Sequence, residues 1–570
     1  MRALAPLLLV LCLAAAAPEP AHAEEGPGGL LRSADERPLL TPRRVGHLKA
    51  GLALAGAALL AWGAWQRPEQ ESRRRRQLRD AFLLGLGLTA GLGWWNFSAF
   101  NHPGFGHPSD TFHYYVGSKY FPELGYQRLY LCTAVADLEA GLRAQVESRS
   151  LRDLESNQLV SSAAAIEHPE ICTAHFSQAR WAAFQRDIGW FRSQVPRRRW
   201  QLMQTDHGYN ATPVWTALGG SLANRVPASD LGILALRLID PLLLAAMWGA
   251  VTFAFGWRAA CVAALYWGTN YPAQYGWTGG SFLRQGWLVA TVMALCALRR
   301  GRPATAGALL AVATLLRVFP IFVAAALGVK ALVGMFQARH VRLSPDHRRL
   351  LAGALVAGGA LFAFSLASGG GARAWSEFIA DSQAHLATPL RNYVGLATVV
   401  SYDPSASSAK TLDQAQDDPY AAWKDARRRA AAERRWIFLA LLAGYLALLA
   451  RAAAHAEDWV VGVLGLGLVT IAAELTCYYS AGLLAFGLLW PRRPSIGIAL
   501  CGLSAAGWWI AGSGRGWDEA FTGISLASVL FIVWATLLLG RASGARSEPK
   551  ASEVHEGLPQ ASGVNRTRRV

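Results

Sequence analysis

The stretch ATAGALLAVATLLRVFPIFVAAALGVKALVGMF, residues 304–336, decides the class of fold of this chain. An α-helix rises about 1.5 Å per residue and the hydrocarbon core of a bilayer is about 30 Å thick, so about 20 apolar residues make one crossing. The stretch is too long for one span, and arginines flank it on both sides, at 299–302 and at 339–349. Because arginine-rich loops stay in the cytoplasm, we predict two crossings, with Arg317 and Pro320 at the outer tip of a helical hairpin.

Apolar runs of membrane-spanning length recur along the whole chain. Of its 570 residues, 53% are hydrophobic and only 16% are charged, whereas an average soluble domain carries roughly 25% charged residues. We therefore predict an all-α polytopic membrane protein with about 13 transmembrane helices and a large helical first periplasmic loop. The net charge of +17 comes from arginines clustered in short connections between apolar runs. That pattern indicates cytoplasmic loops and membrane lipid as a partner, and it argues against nucleic acid.

Composition also divides the chain into segments. Residues 1–23 have the charged start, apolar core and A-x-A site of a signal peptide, the alternative being an uncleaved anchor. The polar tail is predicted to be disordered in the cytoplasm. The remaining predicted segments are an N-terminal tail with the first two spans (24–100), a first periplasmic loop (101–228), a transmembrane bundle (229–368), a second periplasmic loop (369–435), a C-terminal transmembrane bundle (436–540) and the polar C-terminal tail (541–570).

The seven cysteines show no CxxC pair and no metal-ligand spacing. Cys132 and Cys172 fall in the predicted first periplasmic loop, where an oxidising compartment would permit a disulfide between them. The sequence by itself leaves that pairing open.

The first loop opens with HPSDTFHYYVGSKYFPELGYQRLY, residues 107–130, in which Asp110 stands among many aromatic residues. If a helix begins at Thr111, His113 lies one turn on and faces the same way, where it could orient Asp110. Asp110 is our candidate general base. The alternative is that the acid, or the serine before it, only caps the helix. Asp137 is a rival base, but its surroundings are typical of a solvated helix.

Two arginines are candidates for binding a phosphate. Arg317, at the predicted hairpin tip, carries a guanidinium that can hold a phosphate with two hydrogen bonds, and Arg284 is a second candidate. The alternative for either is a guanidinium that extends to lipid headgroups. Arg237 and Asp240, inside an apolar run, are predicted to form a buried structural pair, because charges there are costly unless paired.

Three short motifs, in this order, resemble the GT-C superfamily of polyprenyl-phosphate-sugar-dependent glycosyltransferases, and most closely glycosyltransferase family 87. SDTFHYY at 109–115, with LY at 129–130, is similar to the acidic first-loop motif. YNATPVW at 209–215 is similar to a Y-x-P-P-L/V element, and LRVFP at 316–320 to a K-P-x-P hairpin tip. The chain departs from the family late, where LTCY at 475–478 lacks the expected Trp and His, and its first loop is longer.

The resemblance implies transfer of a sugar, mannose-like or a pentose, from a polyprenyl-phosphate donor to a glycan or glycolipid acceptor on the periplasmic face. It implies Asp110 as base with His113 beside it, and a monophosphate donor that requires no metal or other cofactor. The residues then expected to bind the donor phosphate are Arg317 and Arg284, and those expected to line the substrate site are His207, Tyr209, Tyr115, Glu474 and Tyr478.

Two other functions stay open at this point. An envelope polysaccharide polymerase or ligase with a lipid-diphosphate donor would use basic residues in a late outer loop, and residues 424–435 are rich in them. A transporter or scaffold would carry its acids for structural reasons. No internal repeat is visible, which disfavours an inverted-repeat transporter.

Overall fold

A computed structural model describes residues 40–66, 71–99, 105–416 and 418–541. These residues are mostly helical and contain two short two-stranded sheets. The predicted class, an all-α membrane protein, is confirmed in this coarse form. The predicted signal peptide and all but the first residue of the predicted disordered tail lie outside the described residues.

The helices follow the apolar runs of the sequence, because backbone groups in hydrocarbon must find their hydrogen bonds within the chain. In chain order the elements are α1 (Pro42–Trp65), α2 (Arg73–Trp94), α3 (Pro108–Lys119), α4 (Phe121–Leu124), α5 (Leu129–Glu139), α6 (Arg143–Glu147), β1 (Ser150–Asp153), β2 (Gln158–Ser161), α7 (Ala163–Glu167), α8 (Glu170–Thr173), α9 (Gln178–Ser193), α10 (Arg197–Met203), α11 (Pro213–Ala223), α12 (Asp230–Arg237), α13 (Ile239–Phe255), α14 (Trp257–Thr269), α15 (Tyr275–Thr278), α16 (Gly286–Arg299), α17 (Pro303–Leu316), α18 (Ile321–Gln337), α19 (Pro345–Ser368), α20 (Gly371–Leu386), β3 (Tyr393–Val394), α21 (Leu396–Val400), α22 (Ala421–Glu433), α23 (Arg435–Ala453), α24 (Asp458–Ala472), β4 (Leu475–Thr476), α25 (Pro494–Ala511) and α26 (Trp517–Gly540), with 3-10 helices at Asn96–Ser98, Pro404–Ala406 and Cys477–Leu489.

Six of the described helical segments are long and apolar enough to cross a bilayer: α1, α12 with α13, α19, α23, α25 and α26. The other predicted spans coincide with helices that are shorter or carry more charge, namely α2, α14, α16, α17, α18, α24 and the 3-10 helix Cys477–Leu489. The count of about 13 spans therefore stays a prediction.

The stretch 304–336 is divided into two helices, as predicted. α17 ends at Leu316, Arg317 has extended backbone angles (φ −149°, ψ 127°), and α18 begins at Ile321. Pro320 cannot donate a backbone hydrogen bond, and a proline disfavours helical angles in the residue before it. The break therefore follows from the sequence.

The apolar segment Cys477–Leu489 is a 3-10 helix of 13 residues. A 3-10 helix rises about 2.0 Å per residue, so this segment spans about 26 Å, whereas an α-helix of the same length would span about 20 Å. Its Gly487 packs on α14, where an added Cβ would lie 2.7 Å from the Cα of Ala263. The tighter winding lets a short segment nearly match the thickness of a bilayer core.

The first loop folds into a domain with its own apolar core beside the membrane helices. The face of α9 that carries Phe184, Ile188 and Phe191 is buried in this core. A disulfide joins Cys132 on α5 to Cys172 on α8, which settles the pairing that the sequence left open.

Asp137 corrects our prediction of a solvated helix, because it is completely buried on α5. Its carboxylate lies 2.8 Å from Arg149 and 2.5 Å from Arg192, and it accepts a hydrogen bond from the Trp200 indole at 2.8 Å. Both carboxylate oxygens of Asp137 thus have a cationic or N–H partner, as a buried carboxylate requires. The apolar residues around Asp137 face the domain core rather than water.

Asp137→Ala should lower the free energy of unfolding by about 3–5 kcal/mol, because it leaves a buried guanidinium without its carboxylate. Glu147→Ala is the matched control, since Glu147 pairs with Arg143 on the surface and should matter by roughly 0.5 kcal/mol or less. Chemical unfolding in detergent micelles measures both variants. Equal effects would contradict the structural role of Asp137.

The second long loop, predicted at 369–435, is tied to the late part of the chain by a small sheet. β3 and β4 pair antiparallel, with Tyr393 opposite Thr476 and Val394 opposite Leu475. Ser525 on α26 accepts the backbone N–H of Gly395 at 3.1 Å. These contacts hold the start of the 3-10 helix, and hence Tyr478, at one end of the bundle.

Candidate functional site

The site begins at the first turn of α3, which His107 caps. The Asp110 backbone N–H donates to His107 Nδ1 at 3.1 Å, so Nε2 carries the proton and donates to the Gly276 carbonyl at 2.8 Å. Burial and the nearby Arg199 lower the pKa of His107 to about 3, which keeps the imidazole neutral for this role. The cap is therefore His107 rather than either of the two residues that we named as alternatives, and the Asp110 side chain is left for other contacts.

A tight turn brings the loop before α16 against the start of α3. The His107 backbone N–H donates to the Gly280 carbonyl at 2.9 Å. Gly280 has φ +72°, and a Cβ there would lie 2.1 Å from the Phe105 carbonyl oxygen, so only glycine fits. This approach sets Arg284 beside Asp110.

Asp110 and Arg284 form a buried ion pair, with 2.8 Å between Oδ2 and Nε. Asp110 is only 9% exposed. Burial raises the pKa of the Asp110 carboxyl, and the positive charge of Arg284 opposes that shift. The two residues that we predicted as base and phosphate ligand are thus in direct contact.

Asp240 holds the backbone of Arg284 rather than pairing with Arg237. Its Oδ2 accepts the N–H groups of Arg284 at 2.9 Å and Gln285 at 3.2 Å. Arg237 donates to the Thr111 hydroxyl at 3.3 Å instead. Our prediction of an Arg237–Asp240 pair is therefore wrong, because the turn before α16 offers Asp240 two amide donors.

Tyr114 lies between the two candidate phosphate ligands. The Arg284 guanidinium carbon lies 4.0 Å from the ring centroid and that of Arg317 lies 5.2 Å away, both within cation–π range. Arg317 also donates to the Tyr114 hydroxyl at 2.5 Å, and that hydroxyl donates to Asn210 at 2.8 Å. Sequence reasoning missed Tyr114, although its position one helical turn after Asp110 was a usable signal.

Arg284 also forms part of the wall of an aromatic cavity. Among the described residues that line this cavity, Arg284 is the only charged one. The others are aromatic residues, uncharged polar residues and two alanines: Trp94, Trp267, Trp287, Tyr478, Tyr479, Gln274, Thr278, Gln285, Ala273 and Ala481. None of the three tryptophans was predicted, because they come from three separate helices.

A second cavity shares Tyr479 with the first. Its walls are mainly apolar, with Phe319 from the hairpin tip and Leu466 and Val469 from α24.

His113 lies one helical turn after Asp110 on α3, and its imidazole faces the carboxylate of Asp206. Its Nε2 is 2.8 Å from the Tyr130 hydroxyl, and its Nδ1 is 4.0 Å from Asp206 Oδ2. The Asp206 side chain is 60% exposed, in contrast with the buried Asp110. Asp206 was missed because nothing in its local sequence indicates that it meets His113, 93 residues earlier in the chain.

Of the predicted lining residues, only Tyr478 joins the cavity, with its ring 6.0 Å from the Arg284 guanidinium carbon. His207 lies at the edge of the loop domain, where Nδ1 is 2.8 Å from Asn157 Oδ1. Glu474 accepts a hydrogen bond from Thr398 at 2.8 Å and forms an ion pair with Arg427.

Tyr209 and Tyr115 are buried in the core of the loop domain. The Tyr209 hydroxyl is 2.7 Å from that of Thr216, and the Tyr115 hydroxyl donates to the Val226 carbonyl at 2.6 Å. The Tyr209 ring packs against Tyr114 and the Tyr115 ring against Phe191. Neither residue is among those that line the two cavities. Among the described residues, no group of three or more His, Cys, Asp or Glu side chains could hold a metal ion.

Comparison with protein-family models, with curated proteins and with solved structures found no match.

Tyr114→Phe should lower the free energy of unfolding by about 1–3 kcal/mol, because Arg317 and Asn210 lose a buried hydrogen-bond partner. Tyr402→Phe is the matched control, since no side-chain hydrogen bond of Tyr402 is described, and surface changes of this kind usually stay within about 0.5 kcal/mol. Thermal unfolding in micelles compares the two, and an unchanged Tyr114→Phe protein would contradict this description of the site.

Proposed function

We propose that this protein is an integral-membrane glycosyltransferase. It moves a sugar, a mannose-like hexose or a pentose, from a polyprenyl-phosphate donor to a hydroxyl group of an envelope glycan or lipid. One observation carries the proposal: a buried carboxylate contacts a guanidinium that is the sole charged group in the wall of an aromatic cavity. Aromatic faces with a few polar groups suit a sugar ring, and a guanidinium suits a phosphate.

In the proposed reaction, the acid and the two arginines have different roles. Asp110 takes the proton of the acceptor hydroxyl as that oxygen bonds to the anomeric carbon. The bond from the anomeric carbon to the phosphate oxygen breaks, and the phosphate leaves with the electron pair. Arg284, which packs on the Tyr114 ring, and Arg317, which donates to the Tyr114 hydroxyl, stabilise the charge that develops on that phosphate. The carbon–oxygen bonds exchange without any redox step.

The donor lipid would extend from this site into apolar space. The second cavity, beside Phe319 and Tyr479, adjoins the aromatic cavity and is lined mainly by hydrocarbon side chains. A polyprenyl chain needs such a surface, because leaving it in water costs about 0.8 kcal/mol per CH₂ group.

Two observations support a site on the periplasmic face of the bacterial inner membrane. α16 begins next to Arg284 and runs for 14 residues to Arg299, about 20 Å away, in an arginine-rich turn of the kind found in cytoplasmic loops. The loop domain on the site side contains the Cys132–Cys172 disulfide, which is typical of an oxidising compartment.

The polymerase or ligase alternative receives less support. It relied on free basic residues in the second loop, but Lys424 lies 2.5 Å from Asp418, Arg428 lies 2.9 Å from Asp425, and Arg427 is paired with Glu474. These three cations of α22 already have carboxylate partners. The guanidiniums next to Tyr114, beside the aromatic cavity, are therefore the better phosphate ligands.

Asp110→Asn should reduce sugar transfer by about a hundredfold to ten-thousandfold, because the general base is lost. Radiolabelled polyprenyl-phosphate sugars supplied to the purified variant measure the rate, and a normal elution profile in detergent shows that it is folded. Asp413→Asn, an exposed acid of the second loop, is the control and should transfer normally. Full transfer by Asp110→Asn would contradict the proposal and favour a transporter or scaffold.

A cysteine placed at Val318 should react with a membrane-impermeant thiol reagent in intact cells, because Val318 is 52% exposed at the hairpin tip. Val341→Cys, 94% exposed beyond the other end of α18, should react only after lysis. The free cysteines of the described residues are buried, and a Cys12→Ser background removes the remaining one. The reverse labelling pattern would refute the orientation.

A further inference from the structure

Arg284 has two tasks that compete with each other. It is the sole charged side chain in the wall of the aromatic cavity, and it is also the cation that pairs with Asp110. A phosphate that enters the cavity must therefore bind a guanidinium that already has a carboxylate partner.

The contact between Asp110 and Arg284 is close but poorly aligned. Nε and Oδ2 are 2.8 Å apart, yet neither atom makes a hydrogen bond of good geometry. A contact whose closest atoms lack an aligned N–H is easier to exchange than a bidentate pair. The backbone of Arg284 is fixed at the same time by Asp240, which accepts its N–H at 2.9 Å. The turn can therefore stay in place while the guanidinium changes partner.

We infer that the donor phosphate draws the Arg284 guanidinium away from Asp110, so that donor binding itself releases the base. This inference rests on the proposed function and gives the order of its steps. In the empty site the charge of Asp110 is balanced by Arg284. Once the donor is bound, Asp110 can accept a proton. A phosphate offers two oxygens and more negative charge than a carboxylate, so it is the stronger partner for a guanidinium.

The surroundings of Asp110 favour this exchange. Asp110 is only 9% exposed, so its carboxylate stays buried when Arg284 moves away. Besides Arg284, the side chain whose charge favours the ionised form of Asp110 is His113. The second carboxylate at the turn, that of Asp240, disfavours a further negative charge nearby. A buried carboxylate that loses its cation binds a proton more readily. The acceptor hydroxyl can supply that proton.

A double-mutant cycle on binding of a polyprenyl phosphate tests the exchange. Asp110→Asn should bind the lipid phosphate about tenfold more tightly than the unmodified protein, because Arg284 is freed in advance. Arg284→Gln should bind it about tenfold more weakly. In the Arg284→Gln background, Asp110→Asn should change the affinity less than about twofold, since no competition remains.

The controls separate competition from simple repulsion between two anions. Repulsion alone would make Asp110→Asn equally beneficial in both backgrounds, and that result would overturn the inference, as would no effect in either. Asp206→Asn removes a neighbouring acid for which no contact with Arg284 is described, and it should leave the affinity unchanged. A polyprenol, which lacks the phosphate, should bind all variants alike.

A second measurement on the unmodified protein covers the case in which a variant fails to fold. Carbodiimide labelling of Asp110, followed by peptide mass spectrometry, should become faster when a polyprenyl phosphate is added and should not respond to the polyprenol. Protection of Asp110 by the lipid phosphate, or no change, would overturn the inference alone. Absence of any lipid-phosphate binding by every folded variant would contradict the proposed function and the inference together.

Discussion

The contact between Asp110 and Arg284 is the interaction on which the described site depends. Asp110 belongs to the loop domain and Arg284 to the turn before α16, so their ion pair joins the loop domain to the membrane bundle. A buried ion pair stabilises a fold only weakly, because desolvation offsets most of the attraction. The pair is instead held in place from outside, by the His107 cap, by the two amides that donate to Asp240, and by the Tyr114 ring.

The loop domain explains why these supports are rigid. Its aromatic core places Tyr114 against Tyr209 and Trp215, with ring centroids 5.6 and 4.7 Å apart. Asp137, with both of its carboxylate oxygens in ion pairs, and the Cys132–Cys172 disulfide hold the outer helices of this domain. These contacts fix the position of the Tyr114 ring, and with it the two guanidiniums that pack against that ring.

Charge is distributed unequally between the two ends of the bundle. At one end, Arg284 and Arg317 converge on a single aromatic ring next to a cavity. At the other end, Arg299 and Arg492 share Glu457 in a partly exposed network. The first arrangement is suited to binding an anionic ligand away from water, whereas the second resembles the solvated arginine clusters that orient membrane proteins.

The sequence by itself determined the membrane class, the break in residues 304–336 and the identity of Asp110, Arg284 and Arg317 as the charged groups to examine. Helix length, proline geometry and the cost of charge in hydrocarbon are local properties, so they can be derived from consecutive residues. Only the tertiary structure decided which groups meet. Asp240 accepts from Arg284 and Gln285 rather than from Arg237, Tyr114 lies between two arginines, and three tryptophans from separate helices form one cavity. Such pairings depend on side-chain directions and on contacts between residues far apart in the chain, which no local pattern of the sequence records.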